Sequence, residues 1–225
     1  MTHADAVARL VAGLAGPLPG FAAHATMAPF PSTPDASVLS VEGKPEARRA
    51  ATLLLVYPGA AGEARFVLTV RPDTLRDHSG QVSLPGGRLE AGETPEDAAR
   101  REAWEEVGVP PDAPRVLGRL SPLYIPPSGF AVWPVVAALD ASPAFRPHDA
   151  EVAALLDVPV ADLLAPASRR TVPMTLRGVA FEVPVYALGG RDVWGATAMM
   201  LAEWRAVLAV PASPFADGAG RAFSR

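Results

Sequence analysis

Three glutamates at helical spacing are the residues of this sequence best suited to chemistry. Glu102, Glu105 and Glu106 stand at positions i, i+3 and i+4, so a helix would place their carboxylates within an arc of about 100°. Like charges at these spacings repel one another, and a divalent cation would remove that repulsion. Because the chain contains no cysteine, the hard carboxylate oxygens favour Mg²⁺ or Mn²⁺ over zinc. The alternative is a solvated acidic helix face.

A metal ion held by carboxylates in this way typically also binds phosphate oxygens of a substrate. The substrate is anionic and repels an attacking oxygen, so cleavage requires a cation on its oxygens, basic donors for its phosphates and a base that orients water. Glu102 and Glu106 are the strongest candidates for direct metal ligands, with Glu105 beside them and a backbone carbonyl of the Pro-Gly-Gly turn that ends at Gly87. Glu105 and Glu151 are alternatives for the base, and proximity favours the helix carboxylate.

The flanking residues predict the helix that carries these acids. Thr94 suits the N-cap, Pro95 suits the first helical position, and Asp97 can complete a capping box. Gly108 is a typical stop signal. The stripe beside the acids is apolar and is predicted to be buried: Ala99, Ala103 and Val107. Trp104 is also expected in the core, with stacking on a substrate base as the alternative.

The segment that begins at Gly87 resembles the signature of the Nudix hydrolases, G-x5-E-x7-R-E-U-x-E-E-x-G-U, where U is aliphatic. Every fixed position is present: Gly87, Glu93, Arg101, Glu102, Glu105, Glu106 and Gly108. The resemblance implies hydrolysis of a nucleoside diphosphate linked to another moiety, at a metal site in a loop-helix-loop carried by an α/β/α sandwich. We expect Arg101 and Glu93 to pair, which would brace the loop against the helix and fix the ligating carboxylates.

The residues ahead of this signature are similar to the motif of one Nudix subfamily, the coenzyme A diphosphatases, written LLTxR-[SA]-x3-R-x3-G-x3-F-P-G-G. The chain reads VLTVRPDTLRDHSGQVSLPGG from Val67. It keeps the two arginines of the motif, Arg71 and Arg76, and departs from it at Val67, Pro72 and Leu84. The resemblance implies that coenzyme A is the substrate.

The same stretch supplies candidates for substrate binding: Arg71, Arg76, His78, Ser79 and Gln81. Guanidinium groups bind phosphate through paired hydrogen bonds, and coenzyme A carries a 3'-phosphate beyond its diphosphate. The alternative for the two arginines is surface pairing with Asp73 and Asp77. A hydrogen bond within a turn is the alternative for the histidine.

We therefore expect a metal-dependent enzyme that splits coenzyme A into 3',5'-ADP and 4'-phosphopantetheine, with acyl-coenzyme A as a further candidate substrate. Pro72 and Leu84 motivate an alternative, a Nudix diphosphatase that acts on ADP-ribose, NADH or a dinucleoside polyphosphate. A catalytically idle nucleotide sensor on the same fold is a third hypothesis, which the intact carboxylates oppose.

Composition fits a single enzyme domain. The chain has 225 residues, is 49% hydrophobic and carries a net charge of -4, which allows a sizeable core and argues against nucleic acid as a partner. It has no apolar run of about 18 residues, which argues against a membrane span. The absence of cysteine fits the reducing cytoplasm. A homodimer is left open.

Apolar runs and turn residues predict the organisation of the chain. We expect an N-terminal helix with a Pro- and Ala-rich connector at 1–47, a Nudix hydrolase domain at 48–213 and a frayed tail at 214–225. Helices are predicted over 4–14 and 194–208, a helical fragment within 152–164, and strands over 50–57, 64–71, 116–124, 132–139 and 179–186. Strands with helices on either side predict an α/β class, as an α/β/α sandwich with a mixed sheet.

Overall fold

A computed structural model of the protein describes residues 1–29, 34–72, 80–176 and 179–211. Its α-helices are α1 (His3–Leu14), α2 (Phe21–His24), α3 (Ala36–Leu39), α4 (Pro95–Val107), α5 (Val160–Leu164) and α6 (Gly195–Leu208). Its strands are β1 (Arg48–Pro58), β2 (Ala64–Val70), β3 (Val82–Ser83), β4 (Gly86–Arg88), β5 (Arg115–Arg119), β6 (Leu123–Ile125), β7 (Phe130–Ala138), β8 (Ala154–Pro159), β9 (Arg169–Leu176), β10 (Val179–Leu188) and β11 (Arg191–Val193). Short 3₁₀ turns follow α2 and α5, at Ala25–Met27 and Pro166–Ser168.

Within the described residues, β1 lies at the centre of an eight-stranded mixed sheet. It runs parallel to β7 and antiparallel to β2 and β4. Leu54 and Val56 of β1 belong to the core on one face of the sheet, and Leu53 and Leu55 to the core on the other. Helix α4 covers the second face, and α1 and α6 cover the first. This arrangement confirms the predicted α/β/α sandwich with a mixed sheet.

The N-terminal segment packs on α6, beside a smaller antiparallel sheet in the order β11-β10-β9. Leu10 of α1 is fully buried. A Cβ atom at Gly13 would lie 2.8 Å from Val207 Cγ1, so the two helices are in close contact there. No helix of the described residues is long and apolar enough to cross a membrane. The predicted tail at 214–225 lies outside the described residues.

Helix α4 begins and ends where its sequence predicted. Thr94 accepts a hydrogen bond from the Asp97 backbone, the Asp97 side chain accepts one from the Thr94 backbone, and Gly108 ends the helix with a φ of 74°. The predicted stripe is buried: Ala99, Ala103 and Val107. The prediction of a core position for Trp104 is wrong, because this residue is 50% exposed. It follows Ala103 and so points about 100° away from the stripe.

The helical fragment predicted within 152–164 is α5, in the second half of that range. Residues 154–159 form β8, which pairs antiparallel with β2, and only α5 is helical. Asp157 of β8 accepts hydrogen bonds from Tyr57 Oη and Arg65 Nε, each at 2.7 Å. These long-range bonds outweigh the helix propensity of the Ala-Leu-rich sequence. The predicted strand over 116–124 is divided between β5 and β6.

Candidate active site

A Pro-Gly-Gly turn lies between the central strand and helix α4. Strand β4, which starts in this turn, pairs with β1, and the Leu53 backbone N–H donates to the Pro85 carbonyl at 2.8 Å. The Gly86 backbone N–H donates to Glu106 Oε2 at 3.1 Å. The sheet therefore fixes the turn directly against the acidic side chains of α4.

Gly87 allows the Glu102 carboxylate to lie against the backbone of this turn. A Cβ atom at position 87 would be 2.3 Å from Glu102 Oε1 and 2.4 Å from its Cδ. Such distances are well inside van der Waals contact, so any larger residue at 87 would displace the carboxylate. The glycine thus sets the position of Glu102.

Arg101 connects the loop before α4 to the acidic residues of the helix. Its Nε and Nη2 donate to the two oxygens of Glu93 at 2.7 and 3.0 Å, and Nη2 also donates to the Arg88 carbonyl at 2.9 Å. Its Nη1 donates to Glu102 Oε1 at 3.0 Å and to Glu105 Oε2 at 3.1 Å. The hydrogen bond from Arg101 lowers the pKa of Glu93. One guanidinium group therefore holds the loop and bridges two of the three acids.

Glu102 and Glu106 occupy a desolvated environment. Burial raises the pKa of Glu106 to about 7, and the charges of Glu102 and Glu151 add to this effect, while the hydrogen bond from Gly86 and the charge of Arg71 oppose it. Burial also raises the pKa of Glu102, although the hydrogen bond and charge of Arg101 act in the opposite direction and lower it. Desolvation and like charge both disfavour the anionic form of a carboxyl group, so this pair is suited to a positively charged ligand.

The loop that carries Glu151 is tied to both α4 and β2. The His148 backbone N–H donates to the Glu106 carbonyl at 2.9 Å, and the Ala153 N–H donates to the Val70 carbonyl at 2.8 Å. These bonds bring Glu151 close enough for its charge to raise the pKa of Glu102 and Glu106. The loop thus delivers a fourth carboxylate to the site from a distant part of the sequence.

Of the predicted substrate-binding residues, Arg71 and Gln81 are described. The Arg71 backbone N–H donates to the Gln81 carbonyl at 3.0 Å. Arg71 Nε is buried and has no hydrogen-bond partner in the described part of the chain, and the Arg71 charge acts on Glu106. The other predicted residues, Arg76, His78 and Ser79, lie outside the described residues, as do Asp73 and Asp77.

Comparison with known proteins identifies the family. A family model described as the NUDIX domain matches residues 47–175, more than half of the chain. The chain belongs to the Nudix family. Proteins from Yersinia pestis and Yersinia pseudotuberculosis, each named Uncharacterized Nudix hydrolase NudL, are 35% identical to it over 159 residues, which is 68% of this chain and 76% of theirs. The crystal structure of a Nudix hydrolase from M. smegmatis, RenU, is 29% identical with a TM-score of 0.41, over 50% of this chain and 71% of that one.

The protein is a Nudix hydrolase, an enzyme that acts on diphosphate bonds. The match spans the turn at Gly87, helix α4 and Glu151, whereas α1 and α6 lie outside it. The groups described above therefore belong to the hydrolase module itself.

Nudix hydrolases generally use divalent metal ions, and the residues of this site fit such an ion. The carboxylates of Glu102 and Glu106 supply hard oxygens, and burial raises the pKa of both, so a bound cation would favour their charged forms. No three His, Asp or Glu side chains within residues 1–29, 34–72, 80–176 and 179–211 lie close enough together to hold an ion. Glu105 is turned towards Arg101 and is half exposed. A cation would thus depend on few side chains, and on backbone, water and substrate oxygens for the rest.

Sequence reasoning missed two backbone contributions to the site. The Gly86 N–H donates to Glu106, and the Arg88 carbonyl accepts from Arg101. The paired glycines signalled a close approach of the backbone. Nothing in the side chain of residue 88 could have indicated that its carbonyl would be used.

Proposed function

We propose that this Nudix hydrolase cleaves the diphosphate of coenzyme A, and of acyl-coenzyme A, to 3',5'-ADP and the 4'-phosphopantetheine part. The observation that supports this substrate best is Arg71, the arginine shared with the coenzyme A diphosphatase motif. Its charge acts on Glu106, and its buried Nε has no partner among the described residues. A free guanidinium donor beside the acidic pair suits a substrate rich in phosphate.

Glu102 and Glu106, with the backbone at Gly87, would hold Mg²⁺ or Mn²⁺. When bound, such an ion neutralises charge on diphosphate oxygens and lowers the pKa of a bound water. Arg101 positions Glu102 through Nη1 and holds the loop through Glu93. Arg101 would thus support the metal site without being a ligand of the ion.

Of the two candidate bases, we now favour Glu151 over the helix carboxylate. Glu105 is engaged by Arg101 at 3.1 Å, whereas Glu151 has an exposed side chain with no hydrogen-bond partner in the described residues. A carboxylate without a partner is free to orient a water molecule. Glu105 remains the alternative from its position on α4.

The two candidate bases can be compared by replacing each glutamate with glutamine and measuring the loss of kcat. We expect Glu151→Gln to lower kcat by about a hundredfold or more and Glu105→Gln to lower it by less than tenfold. Steady-state kinetics at saturating metal ion would measure both, with thermal unfolding as a check on the fold. A larger loss of kcat in Glu105→Gln would assign the base to α4 instead.

The substrate is tested by incubation of the purified protein with coenzyme A, acetyl-coenzyme A, ADP-ribose, NADH and a dinucleoside polyphosphate, each with Mg²⁺ or Mn²⁺. Mass spectrometry of products formed in ¹⁸O-enriched water would identify both the bond and the phosphorus attacked. We expect coenzyme A to be cleaved with the highest kcat/KM. Cleavage of ADP-ribose or a dinucleotide, with coenzyme A untouched, would reject the substrate and retain the family activity.

A second candidate is a Nudix diphosphatase with another nucleotide substrate, such as ADP-ribose, NADH or a dinucleoside polyphosphate. Pro72 and Leu84, which depart from the coenzyme A motif, favour it. The same substrate panel separates the two. A nucleotide that binds tightly and survives prolonged incubation with metal ion would instead favour a sensor without catalytic activity.

A further inference from the structure

A cavity of about 440 Å³ lies beside the C-terminal half of α6. The N-terminal segment contributes Ala23 and Thr26 to its wall, and the smaller sheet contributes Arg169 and Tyr186. At its other end, α6 contacts β3, the strand just before the Pro-Gly-Gly turn of the acidic site. There Thr197 Oγ1 donates to the Val82 carbonyl at 3.1 Å. With a rise of 1.5 Å per residue, the cavity lies roughly 13 Å further along the helix. It is therefore separate from the acidic site.

Two arginines line this cavity, and each donates one side-chain hydrogen bond within residues 1–29, 34–72, 80–176 and 179–211. Arg169 Nη2 donates to the Thr26 carbonyl at 2.8 Å, and Arg205 Nη2 donates to the Leu164 carbonyl at 3.1 Å. Neither has a carboxylate partner anywhere in the part of the chain that the structure describes. The adjacent Arg170, by contrast, pairs with Asp192 at 2.6 Å. A guanidinium group has five N–H donors, so most donors of Arg169 and Arg205 remain available.

The charged side chains that line the cavity are both cations, and Glu203, the buried carboxylate next to Ala202, is already bound by Gly20, Ser121 and His24. The carbonyl end of α6 carries about half a negative charge, which is less than the charge of either arginine. Arg9 adds a third cation near this end, since its Nη1 donates to the Leu208 carbonyl at 3.3 Å. The described lining contains no acidic residue. A concave site with unbalanced positive charge attracts anions.

We propose that this cavity is a second binding site and that it takes a phosphate monoester of a small organic molecule. Two guanidinium groups match the paired oxygens of a phosphate. The aromatic ring of Tyr186 and the methyl groups of Ala23, Ala202 and Ala206 provide an apolar wall for the organic part. The volume of the cavity falls in the range of small-molecule sites, well above the needs of a bare anion.

Calorimetry with phenyl phosphate tests this site. EDTA in the buffer keeps divalent cations away from the acidic site, so phosphate binding there is suppressed. We expect one site in the full chain, with an affinity that falls as salt rises, and weaker binding of inorganic phosphate. Each of Arg169→Gln and Arg205→Gln should weaken phenyl phosphate binding by about tenfold or more, since hydrogen bonds to charged groups are involved.

Arg170→Gln is the matched control, because this neighbouring arginine already has a carboxylate partner. It should bind phenyl phosphate as the wild type does. Ala206→Leu fills part of the apolar wall and should weaken phenyl phosphate binding severalfold, which covers the case that an arginine variant fails to fold. Absence of binding at millimolar concentration, or equal binding by both arginine variants and the wild type, would overturn the proposal. Equal affinity for inorganic phosphate would overturn the assignment to an organic ester.

Discussion

At the scale of the residue, Arg101 and Gly87 determine how the acids of α4 are arranged. Arg101 Nη1 bridges Glu102 and Glu105, whereas Glu106 accepts from the Gly86 N–H. Gly87 leaves room for the Glu102 carboxylate beside the backbone. The acids of α4 are thus held by one arginine and one turn, and the charge of Glu151 acts on two of them.

Gly87→Ala should inactivate the enzyme without unfolding it. The added methyl group would lie 2.3 Å from Glu102 Oε1, and the flexible end of that side chain can move aside at small cost in stability. Because a displacement of about 1 Å can cost about a hundredfold in rate, we expect kcat/KM to fall by that order. Steady-state kinetics and thermal unfolding of the same sample measure the two effects.

Gly16→Ala is the control for this change, since the nearest atom of the described residues to a Cβ at Gly16, the Gly13 carbonyl oxygen, is 3.8 Å away. Its kinetics should match those of the wild type. If Gly87→Ala retained full activity, the position of Glu102 against the turn would be irrelevant to catalysis.

The spacing of the glutamates could be read directly from the sequence, because a helix converts spacing into direction. The bridge that Arg101 forms between Glu102 and Glu105 could not, since it depends on side-chain orientation in three dimensions. The proximity of Glu151 also required the fold. It depends on backbone bonds from a loop to Glu106 and Val70, residues that are far away in sequence.

At the scale of the element, local signals predicted α4 correctly and long-range pairing decided β8. The cap residues Thr94, Asp97 and Gly108 act within one turn of each helix end, so sequence is sufficient to place them. Residues of β8 take their structure from β2 and from the bonds that Asp157 accepts. No local pattern in an Ala-Leu-rich segment carries that information.

Thr94→Ala should destabilise the protein through this helix. The change removes the side chain that accepts from the Asp97 backbone, and loss of such a cap costs about 1 kcal/mol. Urea unfolding should show this decrease in the free energy of unfolding with an unchanged m-value. Thr175→Ala, at an exposed position of β9, is the control and should change stability by less. An equal effect of both substitutions would contradict a role for the cap.

At the scale of the whole molecule, Glu203 joins three parts of the chain. This α6 residue is fully buried. Its carboxylate accepts from the Gly20 N–H at 2.9 Å and from Ser121 Oγ at 2.6 Å, and it contacts His24 Nε2 at 2.9 Å. The N-terminal segment is thereby fixed to α6 and to the connection between β5 and β6. Each of these hydrogen bonds requires one orientation of its donor and acceptor. They therefore specify the arrangement more sharply than hydrophobic contacts would.

The acid stability of the protein should depend on Glu203. Burial tends to raise the pKa of this carboxyl group, but the hydrogen bonds from His24, Ser121 and Gly20 prevail and hold its pKa below the ordinary 4.5. The folded state therefore binds the proton less readily than the unfolded chain. The stabilisation is complete above pH 4.5 and is lost as pH falls through the lower folded-state pKa. His24 is the titratable side chain in direct contact with Glu203.

Glu203→Gln measures this contribution. The amide cannot accept all the bonds of the carboxylate, so the variant should be less stable than the wild type by about 2–3 kcal/mol near neutral pH. This difference should shrink as pH falls below 4.5, because the wild type then loses the charge that the variant never had. Denaturant unfolding across that pH range would give both curves, with Glu182→Gln, at an exposed position of β10, as the control. A difference between wild type and Glu203→Gln that stayed constant with pH would show that the charge of Glu203 does not hold the N-terminal segment in place.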